Sequence, residues 1–152
     1  MSIMWKYLDK RAAAIKVLED YDDMRFIIDN TDEAIKMVHE RMSGLSVPVL
    51  DGMPRVHNPQ AGENRILNGI TEIDTLKERY RQAVEYMEWF TPAWGQLTEE
   101  EEFILKSFYM GKGQHEKALD AICERFKIER NSAYRKKNRA LERLTTLLYG
   151  KA

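Results

Sequence analysis

The chain has 152 residues, of which 43% are hydrophobic and 32% charged, with a net charge of −1. That suffices for one domain, or a small domain with an appendage, holding a folded core beneath long charged faces. A single cysteine, Cys123, excludes an intrachain disulfide, and no apolar run is long enough to span a bilayer as a helix.

Residues 3–42 read as one long helix. Leu8, Ala12, Ile15, Leu18, Tyr21, Met24, Ile28, Thr31, Ile35, Val38 and Met42 recur at spacings of three or four, with no intervening proline. Asn30 with Glu33 resembles a capping box, a place where the helix can break and restart. Residues 43–63 hold Gly44, Gly52 and Gly62 with Pro48, Pro54 and Pro59, and read as a linker or surface loop. Helical spacing returns from Asn64 to Phe90 through Ile66, Ile70, Ile73, Leu76, Tyr80, Val84 and Met87. The two stripes are expected to bury each other in a helical hairpin, with a coiled coil completed by a second chain as the alternative. Pro92 is expected to end this helix, and Trp89, Phe90 and Trp94 to pack where it meets the C-terminal region.

Thr98 followed by Glu99–Glu102 has the form of a helix start, with a hydroxyl cap and acids in the first turn. Phe103, Ile104, Leu105, Phe108 and Tyr109 form its inward face, and Gly111–Gly113 its stop. A helix over about 114–126 buries Ala118, Leu119, Ile122, Cys123 and Phe126. Lys127 and Ile128 make a turn, and a last helix runs from about Arg130 to Tyr149, ending at Gly150. Residues 127–152 hold eight Lys and Arg against two Glu, a local charge of +6, so the rest of the chain carries −7. A basic helix on an acidic body suggests one surface for a polyanion and another for a different partner.

Leu97-Thr98-Glu99-Glu100-Glu101, Ile128, and Arg139-Ala140-Leu141-Glu142-Arg143-Leu144 resemble region 4 of bacterial sigma-70-type factors over roughly residues 97–148. With Ala61-Gly62-Glu63, Leu76-Lys77-Glu78-Arg79-Tyr80 and Lys137-Asn138-Arg139-Ala140-Leu141, the whole chain resembles late-gene transcriptional regulators of Gram-positive phages. The resemblance implies an all-α protein in two parts. Residues 1–92 form the helical hairpin, with its linker at 43–63, for oligomerisation or partner binding. Residues 93–152 form a sigma-70 region 4-like helix-turn-helix domain. It further implies promoter binding by the last helix, with Arg130, Asn131, Tyr134 and Arg135 reading bases. Helical geometry agrees: with Ala133, Ala140, Leu141, Leu144 and Leu148 inward, Arg130, Asn131, Tyr134, Arg135 and Asn138 face outward. Arg can bond guanine and Asn adenine in a bidentate manner.

Lys127, Ser132, Lys136, Asn138, Arg139 and Arg143 are expected on the DNA backbone, with Gln114 and His115 at the start of the preceding helix. The sequence departs from the sigma-like pattern in three places. Glu129 stands where a hydroxyl cap is usual, Lys136 where an aliphatic residue is common, and Ala133 is a small core residue.

His39, His57 and His115 are scattered, with no zinc-ligand spacing, and Cys123 reads as a small core residue. No catalytic constellation, metal or cofactor is expected. The expected partners are double-stranded DNA, RNA polymerase and a second copy joined through the N-terminal helices, in the cytoplasm and away from membranes. Two other readings stand beside this one. The first is a protein-interaction module binding polymerase or another regulator without touching DNA. The second is a component of DNA packaging resembling a small terminase subunit.

Overall fold

The computed structural model describes residues 7–44, 59–111 and 115–151. Among these there is no strand, so the protein is all-α. The helices are α1 (Lys10–Ser43), α2 (Pro59–Trp94), α3 (Glu99–Leu105), α4 (His115–Phe126) and α5 (Arg130–Tyr149), and a π-helical turn, Lys106–Met110, extends α3. None of them is long and apolar enough to cross a membrane.

α1 runs unbroken through the anticipated weak point. Asn30 donates its side-chain amide to the carbonyl of Phe26, and Thr31 its hydroxyl to that of Ile27. Both side chains therefore bond back into the preceding turn instead of capping a new one. At its start, Asp9 accepts the amide of Ala12 at 3.0 Å.

The expected linker is shorter than its glycine and proline content predicts. Residues 59–63 already belong to α2, and residues 45–58 lie outside the described residues. Proline is well suited to the first position of a helix, where its missing amide would have had no partner. Pro92 does not end α2, which continues to Trp94. Packing offsets the lost backbone bond. Ala93 is buried, Trp94 stacks on Phe90 at 5.5 Å, and the amide of Gly95 closes the helix on Thr91 at 2.9 Å.

The chain divides into two compact units. One comprises the described residues up to Met24 and from Tyr86 onward. Its first core joins Ala14, Val17 and Leu18 of α1, Phe90 and Ala93 of α2, Leu105 of α3, and Ala140, Leu141, Leu144 and Leu148 of α5. Tyr21, Tyr86 and Trp94 each lie 5.5 Å from Phe90, ring centre to ring centre, and the Tyr86 hydroxyl donates to the Val17 carbonyl. Ala12, expected inward, is exposed, and Ala14 takes its place. A second core packs Ile104 and Phe108 against Ala118, Leu119 and Ile122 of α4 and Ala133 of α5, with Cys123 beside it.

Three local features mark helix ends in this unit. Thr98 and Glu101 form a reciprocal capping box at the head of α3. Lys127 adopts a left-handed backbone (φ 52°), which turns the chain from α4 into α5. Gly150, at φ 81°, ends α5.

The other unit, Arg25–Glu85, contains portions of α1 and α2. Arg41 reaches both carboxylate oxygens of Glu72 at 2.9 and 3.0 Å. Gly69 lies so close to Met42 that an added methyl would sit 2.4 Å from its Cγ. Val38 and Ile73 are buried here, whereas Ile66, Ile70 and Tyr80, expected to be buried, remain exposed. Two helical segments can cover only one side of each other, so part of each apolar stripe faces out.

Candidate nucleic-acid interface

α5 is two-faced. Ala133, Ala140, Leu141, Leu144 and Leu148 point into the cores, as their spacing predicts. Arg130, Asn131, Tyr134 and Arg135 are all exposed on its amino-terminal half. Tyr134, a large aromatic, is 45% exposed. Glu129 occupies the cap position without a side-chain bond to the helix, so the first amides of α5 are not covered by that carboxylate.

The remaining candidate contacts fall into distinct groups. Lys127, Asn138 and Arg139 are exposed, and Ser132 is half-buried. No carboxylate lies within ion-pair distance of Lys127, Arg130, Arg135 or Arg139 among the described residues. Lys136 and Arg143 are already engaged. Lys136 pairs with Glu100. Arg143 bonds Glu101 at 3.2 Å and the Gln96 carbonyl at 3.0 Å. Both cations tie α5 to the acidic first turn of α3. The departure from an aliphatic residue at position 136 thus has a local use, an ion pair between helices.

Gln114 lies outside the described residues. His115 is exposed at the start of α4, with its ring 6.0 Å from Phe108 and 6.2 Å from Tyr109. Phe108 in turn lies 6.5 Å from Tyr134, so one aromatic group links the head of α4 to the outer face of α5. His115, Phe108 and Tyr109 also line a cleft of about 250 Å³ with Glu19, Asp22 and Asp23 of α1. Those carboxylates repel phosphate and set an edge to the basic surface.

Two residues of this surface were not singled out by sequence. Lys137 holds its ammonium 5.2 Å from the Phe108 ring and 5.3 Å from the Tyr134 ring. Burial, and then repulsion from Arg11, keep it below the usual lysine range. Its place was legible, because Arg130, Tyr134 and Lys137 recur at four and three residues along one helical row. The other is Arg11, whose guanidinium donates to the Asn138 side-chain oxygen at 2.6 Å. No local pattern could join residues 127 positions apart.

The assembled surface is cationic, carries amide and phenol groups able to bond base edges, and lies on a helix backed by two cores. Among the described residues no three His, Cys, Asp or Glu side chains converge as metal ligands. Compared with known proteins, the chain matches no family model, no curated protein and no solved structure.

Proposed function

We propose that this protein is a sequence-specific DNA-binding transcriptional regulator, of the phage-encoded kind that its sequence resembles. In this reading α4 and α5 act as a helix-turn-helix, and the amino-terminal half of α5 enters the major groove. One observation carries it: Arg130, Asn131, Tyr134 and Arg135 share the outer face of a helix whose opposite face is buried, and neither arginine has a carboxylate partner among the described residues. The arginines and Asn131 read base edges, Tyr134 meets a thymine methyl or a phosphate, and Lys127, Asn138 and Arg139 hold the backbone.

Selection from a random duplex library with the purified chain should enrich a defined motif. The doubly substituted Arg130→Ala/Arg135→Ala chain should lose that preference while keeping its helicity. Failure of the unaltered chain to retain duplex DNA at low salt would overturn the proposal.

A second reading, a protein-interaction module, is favoured by the unit Arg25–Glu85. There Phe26 and Leu67 are 65% and 61% exposed, and Met37, Ile66 and Ile70 are also uncovered. Exposed apolar side chains in such number mark contact surfaces. Partners in this reading are RNA polymerase, another regulator, or a second copy of the chain. Its solution mass separates a monomer from a dimer, and a ring-sized mass would instead favour a DNA-packaging component.

A further inference from the structure

Arg11 lies in the first turn of α1, far in sequence from the basic helix, yet its guanidinium sits at that helix's outer face. It donates to Asn138, an uncharged acceptor, at 2.6 Å. Asn138 is three residues beyond Arg135 and four beyond Tyr134, so it continues the row of side chains proposed to meet DNA by one further turn.

The charge of Arg11 is not cancelled locally. No carboxylate lies within ion-pair distance of it among the described residues. Asp9, its nearest acid in sequence, bonds the amide of Ala12. Glu19 lies two helical turns away and, like Arg11, acts on the half-buried Tyr109 hydroxyl. Lys137, the other cation at this point, is repelled by Arg11. Folding thus gathers two like charges with no carboxylate partner among the described residues. A structural clamp alone would be served as well by a neutral donor, without the repulsion. A phosphate between Arg11 and Lys137 would turn that repulsion into attraction toward both.

We propose that Arg11 is a DNA-backbone ligand, contributed by α1 to the surface that α5 presents. It would contact a phosphate beyond those reached by Lys127 and Arg139 and thereby fix the angle of α5 in the groove. The proposal rests on the DNA-binding reading above and extends the footprint to a second element of the fold. The expected ligand is the duplex backbone, recognised by charge and without sequence preference. Arg11 therefore adds affinity and register, leaving base choice to Arg130, Asn131 and Arg135.

The test is a titration of the full chain with its selected duplex at several salt concentrations, read by fluorescence anisotropy. Each phosphate neutralised by a cation contributes about 0.9 to the slope of log affinity against log salt. Arg11→Ala should lower the slope by about that amount and weaken binding roughly fivefold to tenfold at moderate salt. Arg11→Lys should keep the slope. Asn138→Ala, which removes a neutral backbone contact, should weaken binding but keep the slope, whereas a purely structural clamp at Arg11 would make Arg11→Ala keep the slope too.

If the unaltered chain binds and Arg130→Ala weakens it, but Arg11→Ala leaves both affinity and slope as they were, the role of Arg11 is refuted while that of α5 stands. If the unaltered chain shows no salt-dependent duplex binding at all, both fall.

Discussion

The basic residues of α5 divide into those available to a ligand and those already paired within the protein, and this division makes a quantitative prediction. Arg130 and Arg135 are exposed without carboxylate partners among the described residues. Lys136 and Arg143 are held by Glu100 and Glu101 across to α3. Replacing Arg130 and Arg135 together by alanine should take about 1.8 from the slope of log affinity against log salt, at about 0.9 per cation. Over a fourfold rise in salt, that makes the variant about twelvefold less sensitive than the unaltered chain.

Replacing Lys136 and Arg143 together should leave the slope nearly unchanged, because neither cation is free to displace a counterion from phosphate. Its cost belongs in stability. Two solvent-accessible, part-buried ion pairs contribute roughly 1 kcal/mol together, a shift of a few degrees in the thermal midpoint. Anisotropy titrations at several salt concentrations and a thermal melt of each variant read both quantities. The reasoning is refuted if Lys136→Ala/Arg143→Ala lowers the slope as much as Arg130→Ala/Arg135→Ala does.

Three other perturbations probe the scaffold. Leu141→Ala removes a fully buried side chain from the first core, and should lower stability by roughly 2–5 kcal/mol in denaturant titrations. Gly69→Ala should destabilise the unaltered chain by crowding Met42. On a Met42→Ala background the same change should stabilise by about 1 kcal/mol, because helix propensity then acts alone. Burial, and then the nearby Asp20, raise Tyr86 well above the usual tyrosine range, and burial also raises Tyr109 and Tyr149. Below about pH 10 these tyrosines are neutral in both folded and unfolded chains, and their stabilising share is complete. As pH rises further the unfolded chain ionises first, so stability should fall. Tyr86→Phe should make that alkaline loss shallower in melts taken from about pH 8 to about pH 11, while costing about 1 kcal/mol at neutral pH for the lost bond to Val17.

The sequence by itself determined the all-helical class, the hydroxyl cap at Thr98 and the bounds of α5, because spacing, capping and stop signals act within a turn or two of chain. It also determined which face of α5 turns inward, since Ala133, Ala140, Leu141, Leu144 and Leu148 alone form an apolar stripe there. Where tertiary packing competed with a local signal, the local signal lost. Pro92 sits inside α2 because Ala93 and Trp94 gain a core.

Only the tertiary structure decided the long-range partners of the charged side chains. A lysine or arginine looks the same in sequence whether it meets solvent, a carboxylate or an aromatic ring. Folding brought Glu100 to Lys136, Glu101 to Arg143, and Arg11 to Asn138. These contacts join residues 36, 42 and 127 positions apart, a separation that no local periodicity encodes.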